Sequence, residues 1–215
     1  MKAINSNIWK RILFLALGFT ALASCSEDAM DRVNEDNDHT TSAPAKFVLA
    51  DVITSTAFSN IGGDLNTYFS VYTEHTVGVD NQLYNAEIRN GEPSVASTFN
   101  NVWENLYSTL KNARIVILTA SDEVAANYTT RGMAEVLAAI NGALITDAFG
   151  NTPYSQAALP QLKDGKPQYM APNMDTQEAI YQAIMKSLDD AIVDLPKGDA
   201  KDKVGSYDFI YKGDG

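Results

Sequence analysis

The chain has 215 residues, with 16 Lys and Arg against 27 Asp and Glu, and a net charge of −11 at pH 7. That balance argues against nucleic acid, whose phosphates require clustered Lys and Arg, and against electrostatic attraction to anionic lipid. The single cysteine excludes an intramolecular disulfide, and neither of the two histidines has a second one at metal-ligand spacing.

Residues 1–24 read as a secretory signal. Lys2, Lys10 and Arg11 make a basic start, 12–23 is an apolar run too short to span a bilayer, and no acidic residue precedes Glu27. Leu22-Ala23-Ser24-Cys25 has the form of a bacterial lipobox. A core thiol is the alternative for Cys25, but the polar Ser26-Glu27-Asp28 that follows argues against it. The mature chain is expected to begin at Cys25 with palmitate-type acyl chains attached, a lipid anchor in place of a membrane helix. Each buried methylene contributes about 0.8 kcal/mol, so more than one chain makes anchoring effectively permanent. Removing 1–24 takes away three basic residues and no acidic one, moving the charge from −11 to −14. No later segment reads as apolar over the length needed to cross a membrane.

Residues 25–41 are acidic and nearly free of apolar side chains, as in Asn34-Glu35-Asp36-Asn37-Asp38. They cannot bury enough surface to offset the cost of ordering and are expected to form a flexible tether. A helical body over 42–215 follows. Ser42 is placed to cap the first helix and Pro44 to sit in its first turn. Phe47, Ala50, Ile53, Ala57 and Ile61 then recur at helical spacing until Gly62-Gly63. Leu65, Phe69 and Tyr72 predict a further short helix, and 77–96 an irregular polar loop.

Three stronger helices come next. Ser97 or Thr98 opens one whose stripe is Phe99, Trp103, Leu106, Leu110, Ala113 and Ile117, with Ile115-Val116-Ile117-Leu118 apolar all round and so expected to be deeply buried. The second runs over about 130–146 with Met133, Val136, Leu137, Ile140 and Leu144 inward, and its Gly132 and Gly142 would allow close approach of neighbours. In the third, Asp175 caps with Glu178 three positions on. Ile180, Ile184, Leu188, Ala191, Ile192 and Leu195 make its face, and Pro196 ends it. Such helices predict an all-α bundle or solenoid rather than a sheet. Trp103, Leu106 and Tyr107 faintly resemble the start of a tetratricopeptide repeat.

Catalytic constellations are scarce. His39 falls in the tether and His75 beside Glu74, while Asp189-Asp190 and Asp194, with Lys186 four residues before Asp190, read as a solvated helix face. Nothing resembles a nucleophile elbow, a phosphate-cradling loop or an EF-hand, so no enzyme activity, metal or cofactor is expected. Aromatic residues among amides are more suggestive. Tyr68, Phe69, Tyr72 and Tyr84 lie in or beside a polar stretch with Asn66, Asn81, Gln82 and Asn85. Aromatic faces next to amides suit sugars and peptides alike. Helical spacing makes core the simpler reading for Phe69 and Tyr72, and Trp103 is expected to be core by the same logic, whereas Tyr84 is expected to face solvent. Tyr68, Tyr72, Asn81 and Tyr84 are the candidate ligand contacts.

Three stretches together resemble one family. Thr146-Asp147-Ala148-Phe149-Gly150-Asn151-Thr152-Pro153-Tyr154-Ser155-Gln156-Ala157 is similar to the "T-D-x-F-G-D-V-P-Y-S-E-A" segment of SusD/RagB-type outer-membrane nutrient-binding lipoproteins. Asn101-Val102-Trp103-Glu104-Asn105-Leu106-Tyr107 with Asn112-Ala113 resembles an earlier helix of that family, and Tyr207 through Asp214 its "D-x-x-Y-x-G-D" step. In the first stretch a helix is expected to end at Thr146-Asp147. Asp147 is placed to tie down loop amides, Gly150 to permit the turn, Pro153 to keep the helix from resuming, and Tyr154 to complete this structural motif. Asn151 and Gln156 stand where the family carries acidic residues.

The resemblance implies a tetratricopeptide-like scaffold of helical pairs, a SusD-like α-α superhelix, with long inserted loops. It covers only the N-terminal portion of the family, so the chain looks truncated at its C-terminus. It further implies a surface-facing outer-membrane lipoprotein that captures oligosaccharides or peptides and delivers them to a SusC-like TonB-dependent transporter, catalysing nothing. The family's aromatic platform is not carried onto numbered residues. A helical-repeat surface adaptor that binds proteins without a transport role is the alternative.

Overall fold

The computed structural model describes residues 43–90, 100–121, 126–163 and 166–214. The signal segment, Cys25, the 25–41 tether, the Ser42 cap and the Ser97 or Thr98 helix start lie outside these residues.

Among the described residues the fold is all-α apart from one ribbon. Helix α1 (Ala45–Thr54) runs on as a π-helix over Ser55–Ile61. Two short helices, α2 (Asp64–Tyr72) and α3 (Asn81–Glu87), form a hairpin, so the polar stretch expected to be irregular contains a helix. The long helices α4 (Asn100–Thr119), α5 (Tyr128–Phe149) and α6 (Gln177–Asp194) follow. The only strands described, Leu162–Lys163 and Lys166–Pro167, pair antiparallel between α5 and α6.

The long helices pack as consecutive antiparallel neighbours, and the side-chain bonds between them give the direction. Asp51 of α1 and Asn60 of its π-helical continuation meet Asn112 and Thr109 of α4, respectively. Trp103 meets Phe149, and Thr109 and Asn141 share a partner in Asn60, along α4 and α5. Arg131, Glu135 and Asp147 of α5 meet Asp194, Ser187 and Tyr181 of α6. One continuous core runs through the stack, with Leu49, Leu106, Leu110, Val116, Ile145 and Ile180 fully enclosed. By length and a mean hydropathy of 1.2, α5 is apolar enough to cross a membrane, contrary to the sequence expectation. Its burial between α4 and α6 accounts for that composition instead.

The buried face of α1 differs from the expected stripe. Leu49, Val52, Ile53, Thr56 and Asn60 point inward, while Phe47, Ala57 and Ile61 are exposed. The reason is chemical: two of the inward positions are polar, and apolar periodicity does not register them. Asn60 Nδ2 donates to Thr109 Oγ1 at 3.0 Å and to Asn141 Oδ1 at 2.6 Å, and Asn141 Nδ2 donates to Thr56 Oγ1 and to the Leu137 carbonyl, both at 2.8 Å. Three helices thus share one buried polar network, which fixes their register more narrowly than apolar packing does. Pro44 is the N-cap rather than a first-turn residue.

Several other positions are corrected. Trp103 is 38% exposed and Leu118 is exposed, because the inward stripe of α4 is Val102, Leu106, Thr109, Leu110, Ala113 and Val116, continued by Ala120 just past its end. Helix α5 continues past Thr146-Asp147 to Phe149. Ile140 and Ile192 are exposed, the latter by 70%, whereas Asp194 is buried and ion-paired with Arg131 at 2.5 Å and Lys197 at 2.9 Å. Thr176, not Asp175, caps α6, its hydroxyl accepting the Ala179 N–H at 3.2 Å. Lys186 and Asp190 pair across one turn in solvent, as expected of a solvated face.

Candidate binding site

The turn that leaves α5 is held by one carboxylate. Gly150 has φ of 72°, a left-handed conformation in which a side chain is strained, and its N–H closes on the Thr146 carbonyl at 2.8 Å. The chain then runs back along the entry to α6. Thr152 and Asp175 exchange backbone bonds at 3.2 and 3.0 Å. Asp175 Oδ2 accepts the N–H groups of Tyr154 at 2.8 Å and Ser155 at 2.7 Å, and Oδ1 accepts the Ser155 hydroxyl at 2.8 Å. Burial raises the Asp175 pKa. The bonds from Ser155 and Tyr154 and the field of Arg114 outweigh it, holding the carboxyl below its ordinary range.

Behind this turn the Tyr154 ring lies where a Cβ at position 142 would stand 2.8 Å from its Cε2, so Gly142 provides the recess. The Arg114 guanidinium lies over the ring, 4.7 Å from its centroid, and donates to the Tyr154 carbonyl at 3.0 Å and to the Ala157 carbonyl. Burial pulls the Arg114 pKa down, with Tyr154, Tyr107 and Asp175 offsetting part of the effect. Asn151 Oδ1 accepts the Gln177 N–H at 2.9 Å, and Gln156 Oε1 accepts the Asn173 N–H at 3.0 Å. Both work as neutral acceptors, so the acidic residues of the resembling segment are not required for these bonds. Asp147 does not tie down loop amides. It accepts the Tyr181 hydroxyl at 2.5 Å on the outer surface.

An aromatic group sits on this frame. Trp103 packs edge-on against Phe149, centroids 5.0 Å apart, and tilted against Tyr107 at 4.7 Å. Tyr107 donates its hydroxyl to the Pro153 carbonyl at 2.7 Å, pinning the group to the turn. Trp103 is anchored yet more than a third open to solvent, the arrangement in which a ring can stack on a ligand.

The four residues singled out in sequence fall on the α2–α3 hairpin. Tyr68 is buried with Val71 and Ala86 in a small separate core, its hydroxyl donating to Gln82 Oε1 at 3.0 Å. Tyr72 is half-buried, with the Arg89 guanidinium 4.3 Å over its ring. Asn81 and Tyr84 are exposed, Tyr84 by 47%. The hairpin therefore offers Tyr84 and Asn81 outward, with Tyr68 supporting them from within. Sequence reasoning missed Trp103, Arg114 and the clamping role of Asp175. The available signals were the stripe of α4 that is complete without Trp103, and Thr176 as a second capping residue beside Asp175. Among the described residues no three His, Cys, Asp or Glu side chains converge as metal ligands would.

The SusD-like family described as "starch-binding associating with outer membrane" matches residues 31–215. A crystal structure of a SusD/RagB family protein from Bacteroides thetaiotaomicron is 55% identical and superposes with a TM-score of 0.70, over 80% of this chain and 34% of that one. The chain thus spans about a third of the length of that solved relative. No curated protein matches it.

Proposed function

Because this chain belongs to the SusD-like family, we propose that it is an outer-membrane-associated binding protein that captures oligosaccharides and passes them to a SusC-like TonB-dependent transporter. The family match over 31–215 carries the reading, and its starch-binding description favours glycan over peptide. The open Trp103 face on its clamped turn and the outward Tyr84 and Asn81 are suited to sugars, whose CH-rich faces stack while amides meet hydroxyls. In this reading Cys25 bears the lipid anchor, 25–41 is the tether, and the helical body swings as a lid on the cell surface. Binding and release, with no bond made or broken, are its whole chemistry.

Pull-down of the intact chain from outer-membrane extracts, with and without starch oligosaccharides, tests the partnership. Recovery of a TonB-dependent transporter supports it. Recovery of other surface proteins alone, with normal glycan uptake in a deletion strain, would instead make the protein an adaptor.

A further inference from the structure

Helix α5 carries an acidic side chain into its seam with α6. Glu135 is 7% exposed, and its Oε2 has no hydrogen-bond partner. Its Oε1 lies 3.9 Å from Arg131 Nε, one turn earlier. That guanidinium is already engaged: Nε and one terminal nitrogen each reach Asp194 Oδ2 at 2.5 Å, and another N–H meets Ser121 Oγ at 3.3 Å. From α6, Asp190, Asp194 and Lys186 act on Glu135, but Lys186 is turned to Asp190 at 2.5 Å in solvent. Just beyond α6, Lys197 is turned to Asp194 at 2.9 Å. Arg131, Glu135, Asp190, Asp194 and Lys197 border a polar pocket of about 420 Å³. An ionised Glu135 is therefore a buried charge beside like charges, with its nearest cation held by another carboxylate. Burial first, then Asp194, pushes its pKa up to about 7, and Arg131 offsets only part of this.

We propose that Glu135 is a proton-operated latch on the α5–α6 seam: protonated, it leaves Arg131 to Asp194; ionised, it competes for that guanidinium and loosens the end of α6. The competition follows from geometry. Arg131 Nε is a long ion-pair distance of 3.9 Å from Glu135 Oε1 and 2.5 Å from Asp194 Oδ2, so drawing it toward Glu135 stretches its bond to Asp194. Asp194 then keeps Lys197 alone, whose side chain is 42% exposed and correspondingly screened. The same end of α6 is tied to α5 by the Thr129 hydroxyl on the Leu195 carbonyl at 2.9 Å, so its loosening is local rather than a loss of fold.

The test uses the intact chain and two readouts, carbon NMR of the Glu carboxyls and amide hydrogen exchange over 191–197, each across about pH 5 to 9. Glu135→Gln assigns the resonance and keeps the side chain's shape. We expect a midpoint near 7 and a fall of about tenfold in protection, after correction for intrinsic rates, that Glu135→Gln abolishes. Asp194→Asn should lower the Glu135 midpoint, since it removes a repelling charge and frees Arg131. A midpoint in the ordinary carboxylate range, the same loss of protection in Glu135→Gln, or protection that does not change as Glu135 titrates would each overturn the proposal.

Discussion

Asp175 and Tyr154 stand 21 residues apart, and the carboxylate of the first accepts the backbone N–H of the second at 2.8 Å. The same oxygen takes the Ser155 N–H, so a side chain at the entry to α6 fixes the turn that leaves α5. Phe149 and Pro153 of that segment meet Trp103 and Tyr107 respectively. The open tryptophan thus rests on a frame whose shape one carboxylate sets.

Replacing Asp175 by Ala strips two backbone donors and a hydroxyl of their charged acceptor. Charge-assisted bonds of this kind contribute about 1.5–3 kcal/mol each, with strong overlap when one group accepts several. We expect a loss of about 3 kcal/mol for Asp175→Ala and less for Asp175→Asn, read as a shift of the urea midpoint at pH 7 without a change in slope.

Two carboxyls give the protein opposite responses to pH. The Asp175 pKa is lowered in the fold, so its contribution is present above the ordinary Asp range and is lost as pH falls through the folded value. The Glu135 pKa is raised from 4.5 to about 7, so stability is lost as pH rises across that interval. The 2.5-unit difference corresponds to at most about 3 kcal/mol. Thermal melts from about pH 4 to 9 should show Glu135→Gln more stable than wild type above pH 7 and similar to it near pH 4.

Gly142→Ala places a methyl 2.8 Å from the Tyr154 ring, which the Arg114 guanidinium also contacts, 4.7 Å from its centroid. Overpacking of this kind costs about 1–3 kcal/mol. The cost should shrink in a Tyr154→Leu background, and a double-mutant cycle by denaturation would show the coupling.

Asn141→Leu removes the donor to Thr56 and the acceptor for Asn60 within a closed interior. Leaving Thr56 Oγ1 without that donor and Asn60 Nδ2 with Thr109 alone should cost about 2–4 kcal/mol, more than most single substitutions. Equal stability by calorimetry would show that the network is not needed for the register of α1, α4 and α5.

Much of the scaffold was legible because its long helices carry apolar residues at helical spacing and clear punctuation, such as Gly62-Gly63 and Pro196. The inward face of α1 was not, since Thr56 and Asn60 take core positions for their hydrogen bonds. Trp103 looked like core because indole is apolar and the spacing fitted; which of two overlapping stripes is buried depends on partners remote in sequence. The turn after α5 was located by its motif and its glycine. The residue that clamps it lies a further loop away, and Asp175 reads locally as an ordinary helix cap.

Glycan capture, as proposed, rests on the aromatic surface that Trp103 and Tyr84 present. Isothermal titration of the chain lacking residues 1–25 against maltoheptaose tests it most directly, with Trp103→Ala and Tyr84→Ala beside it. We expect saturable binding, weakened about tenfold by Trp103→Ala, since loss of one stacked ring is worth up to about 1.5 kcal/mol. No heat from maltoheptaose, or binding indifferent to both substitutions, would contradict it.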